Sequence, residues 1–286
     1  MFIVNRAIAR VERVIARRKN LSRLSREEHA VSRSIAECIR ETLNGSLTAE
    51  ESRVITRIEA LRSEMEGSTA PITRIDYGAG LGDSKRTPDQ MERGVEVTSS
   101  LGDITRAASK PALWARLLFR LIRTLRPNSC VEMGTAVGIS AAYQASALEL
   151  NERGRLVSLD GAPAVAEIAR KNLQTLGLSR VEVVVGNFRD TLAEVLKKER
   201  PVDYVFVDGH HDERATLDYF ELLLPSLGTT ALLVFDDISW SDGMKRAWGS
   251  ISRDPRVAVA VDLGAVGLCV VDPSTPGSRY FRIPLN

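Results

Sequence analysis

Three carboxylates stand after two apolar segments in the second half of the chain. Asp208 follows Val202–Val207, and Asp236 and Asp237 follow Ala231–Phe235. If these segments are neighbouring parallel strands, their ends bring the three side chains to one edge of a sheet, where clustered anions repel one another. A divalent cation with oxygen ligands removes that repulsion, either Mg²⁺ that keeps some waters or else Mn²⁺ or Ca²⁺. The sequence therefore predicts a metal site at these carboxylates, although an Asp at a strand end can also cap a helix or pair with Arg.

Two adjacent histidines, His210 and His211, lie close to the first of these carboxylates. Imidazole has an ordinary pKa of about 6.5, so it suits proton removal near neutral pH. His211 stands three residues after Asp208, and we expect these two residues to be catalytic. A helix-capping role, or a role beside the metal, is the alternative for His211. We expect His210 to contact a bound cofactor.

A turn with two glycines follows the apolar segment Cys130–Met133. Gly134 allows the backbone to turn tightly, and Gly138 allows the following helix to approach closely. The spacing differs from the G-x-G-x-x-G pattern that receives a pyrophosphate, and an acid, Glu132, precedes it. A carboxylate at this position suits a cationic group such as the amino acid part of S-adenosylmethionine. The residues that we expect to bind the cofactor at this turn are Glu132, Gly134, Thr135, Ala136, Gly138 and Ser140.

Polar residues also follow the next two apolar segments. Asp160 precedes Gly161, and a carboxylate at this position can accept hydrogen bonds from both hydroxyls of a ribose, although it can also cap the following helix. Asn187 and Phe188 place an amide beside an aromatic ring, which can hydrogen-bond and stack with an adenine. These four residues, together with Asp208 and His210, are therefore predicted to complete the cofactor site.

Strands and helices alternate from Pro111 onward, which predicts a parallel sheet with helices on both faces. The expected fold is a Rossmann-like, doubly wound α/β fold with a mostly parallel seven-stranded sheet. A C-terminal hairpin around Gly264 should close that sheet with an antiparallel edge. The predicted strands are Cys130–Met133, Leu156–Leu159, Val181–Val185, Val202–Val207, Ala231–Phe235, Val257–Val261 and Val266–Val271.

The chain divides into three regions by composition. Residues 1–66 contain no proline and are rich in helix formers, so we expect a helical region that packs on the rest of the chain or forms a homodimer. Residues 67–110 contain several Gly and Pro residues and predict an irregular connector. Its Asp76–Gly80 stretch would serve as a lid over a site or merely as a linker. Residues 111–286 form the predicted α/β domain.

Composition excludes several classes of protein. The 286 residues are 44% apolar with a formal charge of +2, a balance that argues against a dedicated nucleic-acid binder. Three separated cysteines indicate neither a disulfide framework nor a zinc site, and we expect a cytoplasmic protein. No stretch approaches the roughly 18 apolar residues of a transmembrane helix, and arginines interrupt any secretory signal near the N-terminus.

Taken in order, these motifs resemble the class I methyltransferases. The order is E-x-G-x-x-x-G-x-S, a strand-end Asp, G-N-F, V-F-V-D-G-H-H and L-V-F-D-D, and it covers about Leu113 to Asp272. More narrowly, it is similar to the metal-dependent O-methyltransferases of the catechol and macrolide-sugar kind. The combined motifs are far more specific than any one of them, and residues 1–110 lie outside the similarity.

The resemblance implies a role for each matching residue. Glu132, Gly134, Ser140 and Asp160 would hold the methionine and ribose parts of S-adenosylmethionine, and Asn187 and Phe188 would flank its adenine. Asp208 and Asp236 match metal ligands in those families, and Asp237 fits a position that is often Asn or Asp. His211 departs from the pattern, because catechol-type relatives carry a lysine general base at its position.

The expected function is therefore methylation of a small-molecule hydroxyl, such as that of a natural product, a sugar or a phenol. Trp240, just past the acidic motif, is a candidate for the acceptor pocket, whereas Trp114 and Trp248 are expected in the core. A metal-independent methyltransferase acting on N, C or carboxylate oxygen is one alternative. A cofactor-binding scaffold without turnover is another.

Overall fold

The computed structural model describes residues 14–78, 86–275 and 277–285. Residues 1–13 of the region expected to be helical, and residues 79 and 80 of the predicted lid, lie outside this part of the chain. Across the described ranges, no helix is both long enough and apolar enough to span a bilayer.

The first half of the chain is mostly helical and contains a small hairpin before its last helix. Its helices and strands are α1 (residues 14–24), α2 (Ala30–Asn44), α3 (Ala49–Glu66), β1 (Pro71–Asp76), α4 (Pro88–Arg93), β2 (Val95–Ser100) and α5 (Leu101–Ala108). A capping box begins α3, where the Thr48 side chain accepts from the Glu51 amide and the Glu51 side chain accepts from the Thr48 amide.

Strands and helices alternate in the second half, as the sequence predicts. The elements are α6 (Ala112–Leu125), β3 (Ser129–Met133), α7 (Ile139–Asn151), β4 (Arg155–Asp160), α8 (Pro163–Thr175), β5 (Val181–Val185), α9 (Phe188–Glu199), β6 (Val202–Val207), α10 (Glu213–Leu223), β7 (Leu227–Phe235), α11 (Asp242–Ile251), β8 (Val257–Asp262), β9 (Gly267–Val271) and β10 (Arg279–Arg282).

The main sheet has eight strands in the order β10-β8-β9-β7-β6-β3-β4-β5. Strands β3 to β7 are parallel, and β9 runs antiparallel to both β7 and β8. The mostly parallel sheet and its antiparallel hairpin are confirmed, with one strand more than the seven expected. The additional strand, β10, pairs in parallel with β8 and takes the edge position that the hairpin was expected to hold. Its four residues are two aromatic residues between two arginines, and they are too few for a strand pattern.

The expected irregular connector contains a regular two-stranded sheet. Strands β1 and β2 pair antiparallel from Pro71 opposite Ser100 to Asp76 opposite Val95. None of their side chains is fully buried, and the apolar alternation is limited to Val95 and Val97 of β2, which is too short to predict a strand. The hairpin places Asp76 and Tyr77 beside the C-terminal edge of the main sheet.

The described N-terminal helices pack onto the second half of the chain. Leu24, Ile39 and Ile58 are fully buried, and they belong to the same apolar cluster as Phe119 of α6. A buried ion pair adds to this contact, since Glu51 accepts from Arg120 at 3.0 Å. These contacts support the packing role for residues 14–66, while a homodimer through the first helices stays a prediction.

If the N-terminal helices share one cooperative core with the α/β domain, Ile39→Ala should destabilise the whole chain. We expect the free energy of unfolding to fall by about 2–5 kcal/mol, because the change leaves a cavity under α6. Leu43→Ala on the same helix is the control, since Leu43 is 37% exposed and should change stability by less than about 0.5 kcal/mol. Urea unfolding followed by the tryptophan fluorescence of the second half measures both. A biphasic transition would contradict the shared core.

Candidate active site

A cavity opens at the carboxyl ends of the central strands. Strand order reverses there, because β4 and β5 extend the sheet to one side of β3 while β6 and β7 extend it to the other. The cavity volume is about 800 Å³. Its walls come from the sheet edge, the β1–β2 hairpin and the end of α5. The predicted site residues that line it are Gly134, Ala136, Asp160, Gly161, Phe188, Asp208, His210, His211 and Asp237.

The turn after β3 requires glycine. Gly134 has a φ of +107°, and a Cβ at this position would lie 2.2 Å from the carbonyl oxygen of Asp208. Its amide donates to the carbonyl of Leu159 at 2.9 Å, so the turn bridges β4 and the end of β6. Gly138 has a φ of +87°, and its added Cβ would meet Ala169 of α8 at 3.1 Å. The two glycines thus let three neighbouring elements meet beneath the cavity.

The acidic residues after β6 and β7 come together with a histidine. One possible ligand atom from each of Asp208, His211 and Asp236 lies within 4.8 Å of the others. Asp237 joins the group through His211, whose Nδ1 lies 3.7 Å from the carboxylate of Asp237. Helix capping does not explain these residues, because Asp212 caps α10 and Ser241 caps α11.

A lysine that the sequence analysis missed contacts the same carboxylates. Lys110 Nζ lies 3.1 Å from Oδ1 of Asp208 and also contacts Oδ2 of Asp236. Lys110 stands between α5 and α6, 98 positions from the first carboxylate and 126 from the second. No local pattern marks it as a site residue, since only tertiary packing brings it to this edge of the sheet. We call Lys110, Asp208, His211, Asp236 and Asp237 the acidic cluster.

Burial and charge shift the protonation of the acidic cluster. Burial raises the pKa of Asp208 well above its usual range, although Lys110 opposes this shift. Burial also raises the pKa of Asp237, and Asp236 adds to the effect. Burial would lower the pKa of Lys110, but Asp208 and Asp236 outweigh it and hold that pKa above its ordinary value. Burial lowers the pKa of His211. The cluster therefore favours a charged lysine beside a neutral imidazole.

His210 turns away from the acidic cluster toward an aromatic corner. Its Nδ1 lies 2.6 Å from the Tyr219 hydroxyl, and its ring meets the Phe188 ring edge-on at 5.6 Å between centroids. Phe188 also covers Gly209, where an added Cβ would come within 2.5 Å of the ring. Burial, with the charge of Arg189 next, lowers the pKa of His210. The corner forms one apolar wall of the cavity.

Asp160 is held by backbone amides. Its Oδ2 accepts from the Ala136 amide at 2.7 Å, and its Oδ1 accepts from the Ala162 amide at 2.8 Å. Burial nevertheless raises the pKa of this carboxyl to about 6. The next residue, Gly161, lies under the ring of Tyr77, where a Cβ would come within 2.7 Å. Asp160 does not cap α8, because the N-cap residue of that helix is Ala162 and no side chain caps its first turn. Asp160 lines the cavity instead.

The remaining predicted cofactor residues lie beneath the cavity or beside it. Glu132 is fully buried and accepts from Gln144 at 2.6 Å and from Ser158 at 2.5 Å, and burial raises its pKa to about 7. Asn187 caps α9 by accepting from the Arg189 amide at 3.0 Å. Thr135, Gly138 and Ser140 are buried in or after the glycine turn. Of the tryptophans, Trp240 lines the cavity, while Trp114 and Trp248 are buried in the core.

Strained backbone is concentrated at this edge. Six non-glycine residues of the described chain have positive φ, and two of them follow helix ends. The other four line the cavity, namely Ala136, His210, His211 and Asp237. Such conformations cost about 1–3 kcal/mol each and persist where the surrounding structure enforces them, often at functional sites.

Comparison with known proteins agrees with this geometry. Residues 131–238, which contain the glycine turn and the acidic cluster except Lys110, match the family described as "Methyltransferase domain". Over the region that forms the ends of the parallel strands, the chain is therefore similar to methyltransferases. The matched residues include the strand ends at which the unusual residues gather.

Individual relatives of the methyltransferase domain are O-methyltransferases. A catechol O-methyltransferase of Mycobacterium tuberculosis is 32% identical over 45% of this chain and 56% of its own, and one of Niastella koreensis is 30% identical over 43% and 55%. The chain thus spans about half the length of these curated relatives. The crystal structure of an O-methyltransferase from Bacillus cereus in complex with SAH is 25% identical, with a TM-score of 0.51 over 58% of this chain and 84% of that chain.

The close contact at Gly134 gives a direct test of the turn. We expect Gly134→Ala to lower the free energy of unfolding by about 2 kcal/mol more than Gly177→Ala does. Both positions have positive φ, but an added Cβ at Gly177 meets nothing within 4 Å, so it controls for backbone strain alone. Urea unfolding of the two variants measures the difference, and equal losses would show that the contact with Asp208 is unimportant.

Proposed function

We propose that the chain transfers the methyl group of S-adenosylmethionine to a hydroxyl oxygen of a small molecule. The observation that carries this proposal is that one cavity is lined both by the glycine turn with Asp160 and by four members of the acidic cluster, namely Lys110, Asp208, His211 and Asp237. Sulfonium chemistry needs a cofactor pocket directly beside a group that can take a proton. The catechol O-methyltransferase relatives support oxygen as the acceptor atom.

In this proposal the cofactor lies along the sheet edge. Asp160 would accept from the ribose hydroxyls, and Gly134 and Ala136 would pass under the sugar and methionine parts. Phe188 would contact the adenine, and Tyr77 would cover the nucleoside from the hairpin. Glu132, Thr135, Gly138, Ser140 and Asn187 would then support the turn and the helix starts, and direct contact of these five with the cofactor stays a prediction.

Methyl transfer is a displacement at carbon. The acceptor oxygen forms a bond with the methyl carbon while the carbon–sulfur bond of the cofactor breaks. The electron pair of the broken bond remains on sulfur. The hydroxyl proton goes to His211, which burial keeps neutral and able to accept it. Asp208 lies 3.8 Å from Nε2 of His211, so its carboxylate stabilises the imidazolium that forms.

The acidic cluster fits a divalent cation by its donors. Asp208 and Asp236 offer ligand oxygens within 4.8 Å of each other, and Asp237 adds a third carboxylate beside His211. These three carboxylates would hold the cation, and His211 would remain the base. A bound Mg²⁺ or Mn²⁺ would supply stabilisation of the acceptor alkoxide. Metal assistance is therefore part of the proposal.

A metal-independent methyltransferase is the second candidate, and Lys110 is the observation that favours it. Its ammonium already contacts the two carboxylates that the metal would use. An ammonium at this position compensates part of their charge without any metal. Treatment with a chelator separates the two candidates.

The role of His211 predicts a loss of turnover with binding intact. We expect His211→Ala to lower the rate of methyl transfer at least about 100-fold, because the general base is removed. The affinity for S-adenosylhomocysteine should change less than about threefold, since no cofactor contact is lost. Methyl transfer to a panel of catechols, other phenols and sugars, and calorimetry with S-adenosylhomocysteine, measure the two quantities.

The control for this variant is His29→Gln, which changes a histidine paired with Asp272 at 3.1 Å and should leave both quantities unchanged. If the parent chain binds no S-adenosylhomocysteine, the methyltransferase proposal is wrong. Binding without turnover on any acceptor would instead indicate a scaffold.

Metal assistance predicts sensitivity to chelators. We expect EDTA to lower the rate of methyl transfer at least about tenfold and added Mg²⁺ or Mn²⁺ to restore it, because the cation stabilises the alkoxide. Asp236→Asn should reproduce the loss without restoration. An unchanged rate in EDTA would identify the metal-independent candidate, with Lys110 as the counter-cation.

A further inference from the structure

Lys110 reaches the acidic cluster from the segment between α5 and α6, and other parts of the chain hold its backbone in place. The carbonyl of Lys110 accepts from Arg62 of α3 at 2.8 Å, and Pro111 follows it directly and restricts its backbone. Arg62 pairs with Glu59 at 3.2 Å, and Glu59 accepts from the Tyr143 hydroxyl at 2.6 Å. The lysine backbone is thus fixed by a chain of contacts between the N-terminal helices and α7.

The ammonium meets carboxylates that have little access to water. The side chain of Lys110 is 15% exposed, and those of Asp208 and Asp236 are 10% and 3% exposed. Two buried carboxylates side by side are unfavourable unless a cation lies between them. Lys110 is that cation in the described chain, and it uses the carboxylates assigned to a metal under the proposed function.

A divalent cation and the ammonium compete for these carboxylates. A metal bound to the oxygens that Lys110 contacts would lie directly against its positive charge, and the repulsion would be large because the surroundings are buried. The lysine therefore has to withdraw before the metal can bind there. Its fixed backbone leaves this movement to the side chain alone.

We propose that Lys110 and a divalent cation are alternative occupants of the Asp208–Asp236 carboxylate pair, so that Lys110 sets how weakly this site binds metal. The inference rests on the proposed function for the location of the metal, but it does not depend on methyl transfer. It assigns the segment between α5 and α6, outside the residues that match the methyltransferase family, to control of the site.

Replacing the lysine by an uncharged side chain of similar length tests the competition. We expect Lys110→Met to bind Mn²⁺ at least about tenfold more tightly than the parent full-length chain, a difference of about 1.4 kcal/mol. The EPR signal of free Mn²⁺ during titration at fixed pH measures the affinity. Lys171→Met is the matched control, because Lys171 is 71% exposed and its loss should change nothing. Adding Asp236→Asn to Lys110→Met should abolish the gain.

Thermal unfolding provides a second readout that does not need activity. Without its ammonium, the Lys110→Met chain should unfold at a lower temperature in EDTA, and MnCl₂ should raise its Tm back toward the parent value. The parent Tm should respond much less to MnCl₂. Lys110→Arg, which keeps the positive charge, should retain the weak Mn²⁺ binding of the parent.

Three results would overturn the inference. They are Mn²⁺ affinity that is unchanged or lower in Lys110→Met, a gain that survives Asp236→Asn, and a Lys110→Met chain that stays unfolded both with and without Mn²⁺. Calorimetry with S-adenosylhomocysteine on the parent distinguishes this failure from failure of the proposed function. The methyltransferase proposal depends on that binding, whereas the competition for the carboxylates does not.

Discussion

Desolvation of carboxylates at one sheet edge is the constraint on which the rest of the site depends. Parallel strands β6 and β7 end side by side, and Asp208 and Asp236 follow those ends with almost no access to water. Anions in such surroundings need a compensating cation, which a buried lysine or a bound metal can supply. Lys110 supplies one here, and the neutral imidazole of His211 adds no further charge. Under the proposed function, metal binding, proton transfer and stability of the edge are therefore linked through the same few charges.

The N-terminal half of the chain completes the site rather than only flanking it. Its helices bury Ile39 and Ile58 in the core shared with α6, and Arg62 of α3 holds the carbonyl of Lys110. The β1–β2 hairpin brings Tyr77 over Gly161. A methyltransferase domain limited to the family match would lack these contacts. The cavity is thus formed jointly by the sheet edge and by segments outside the residues that match the methyltransferase family.

Most of the α/β domain could be predicted because its strands are buried on both faces and appear as short apolar runs between amphipathic helices. The hairpin β1–β2 and strand β10 escaped prediction because their side chains are partly exposed and carry no such pattern. The sequence also identified Glu132 as a candidate cofactor residue. It could not predict that Glu132 is buried beneath the turn, where it accepts hydrogen bonds from Gln144 and Ser158. The periodicity of apolar residues predicts which side chains are buried, but it does not predict which polar side chains form hydrogen bonds with each other.

By itself, the sequence determined which residue types stand at the ends of the strands: glycines where the backbone must turn, and carboxylates and a histidine where charge gathers. These are local properties, because strand, turn and acidic group are adjacent in the chain. Only the tertiary structure decided that Lys110 reaches Asp208 and Asp236 and that Tyr77 covers Gly161. Such contacts join residues far apart in the chain, and they form only when packing of the helices and the hairpin brings their backbones together.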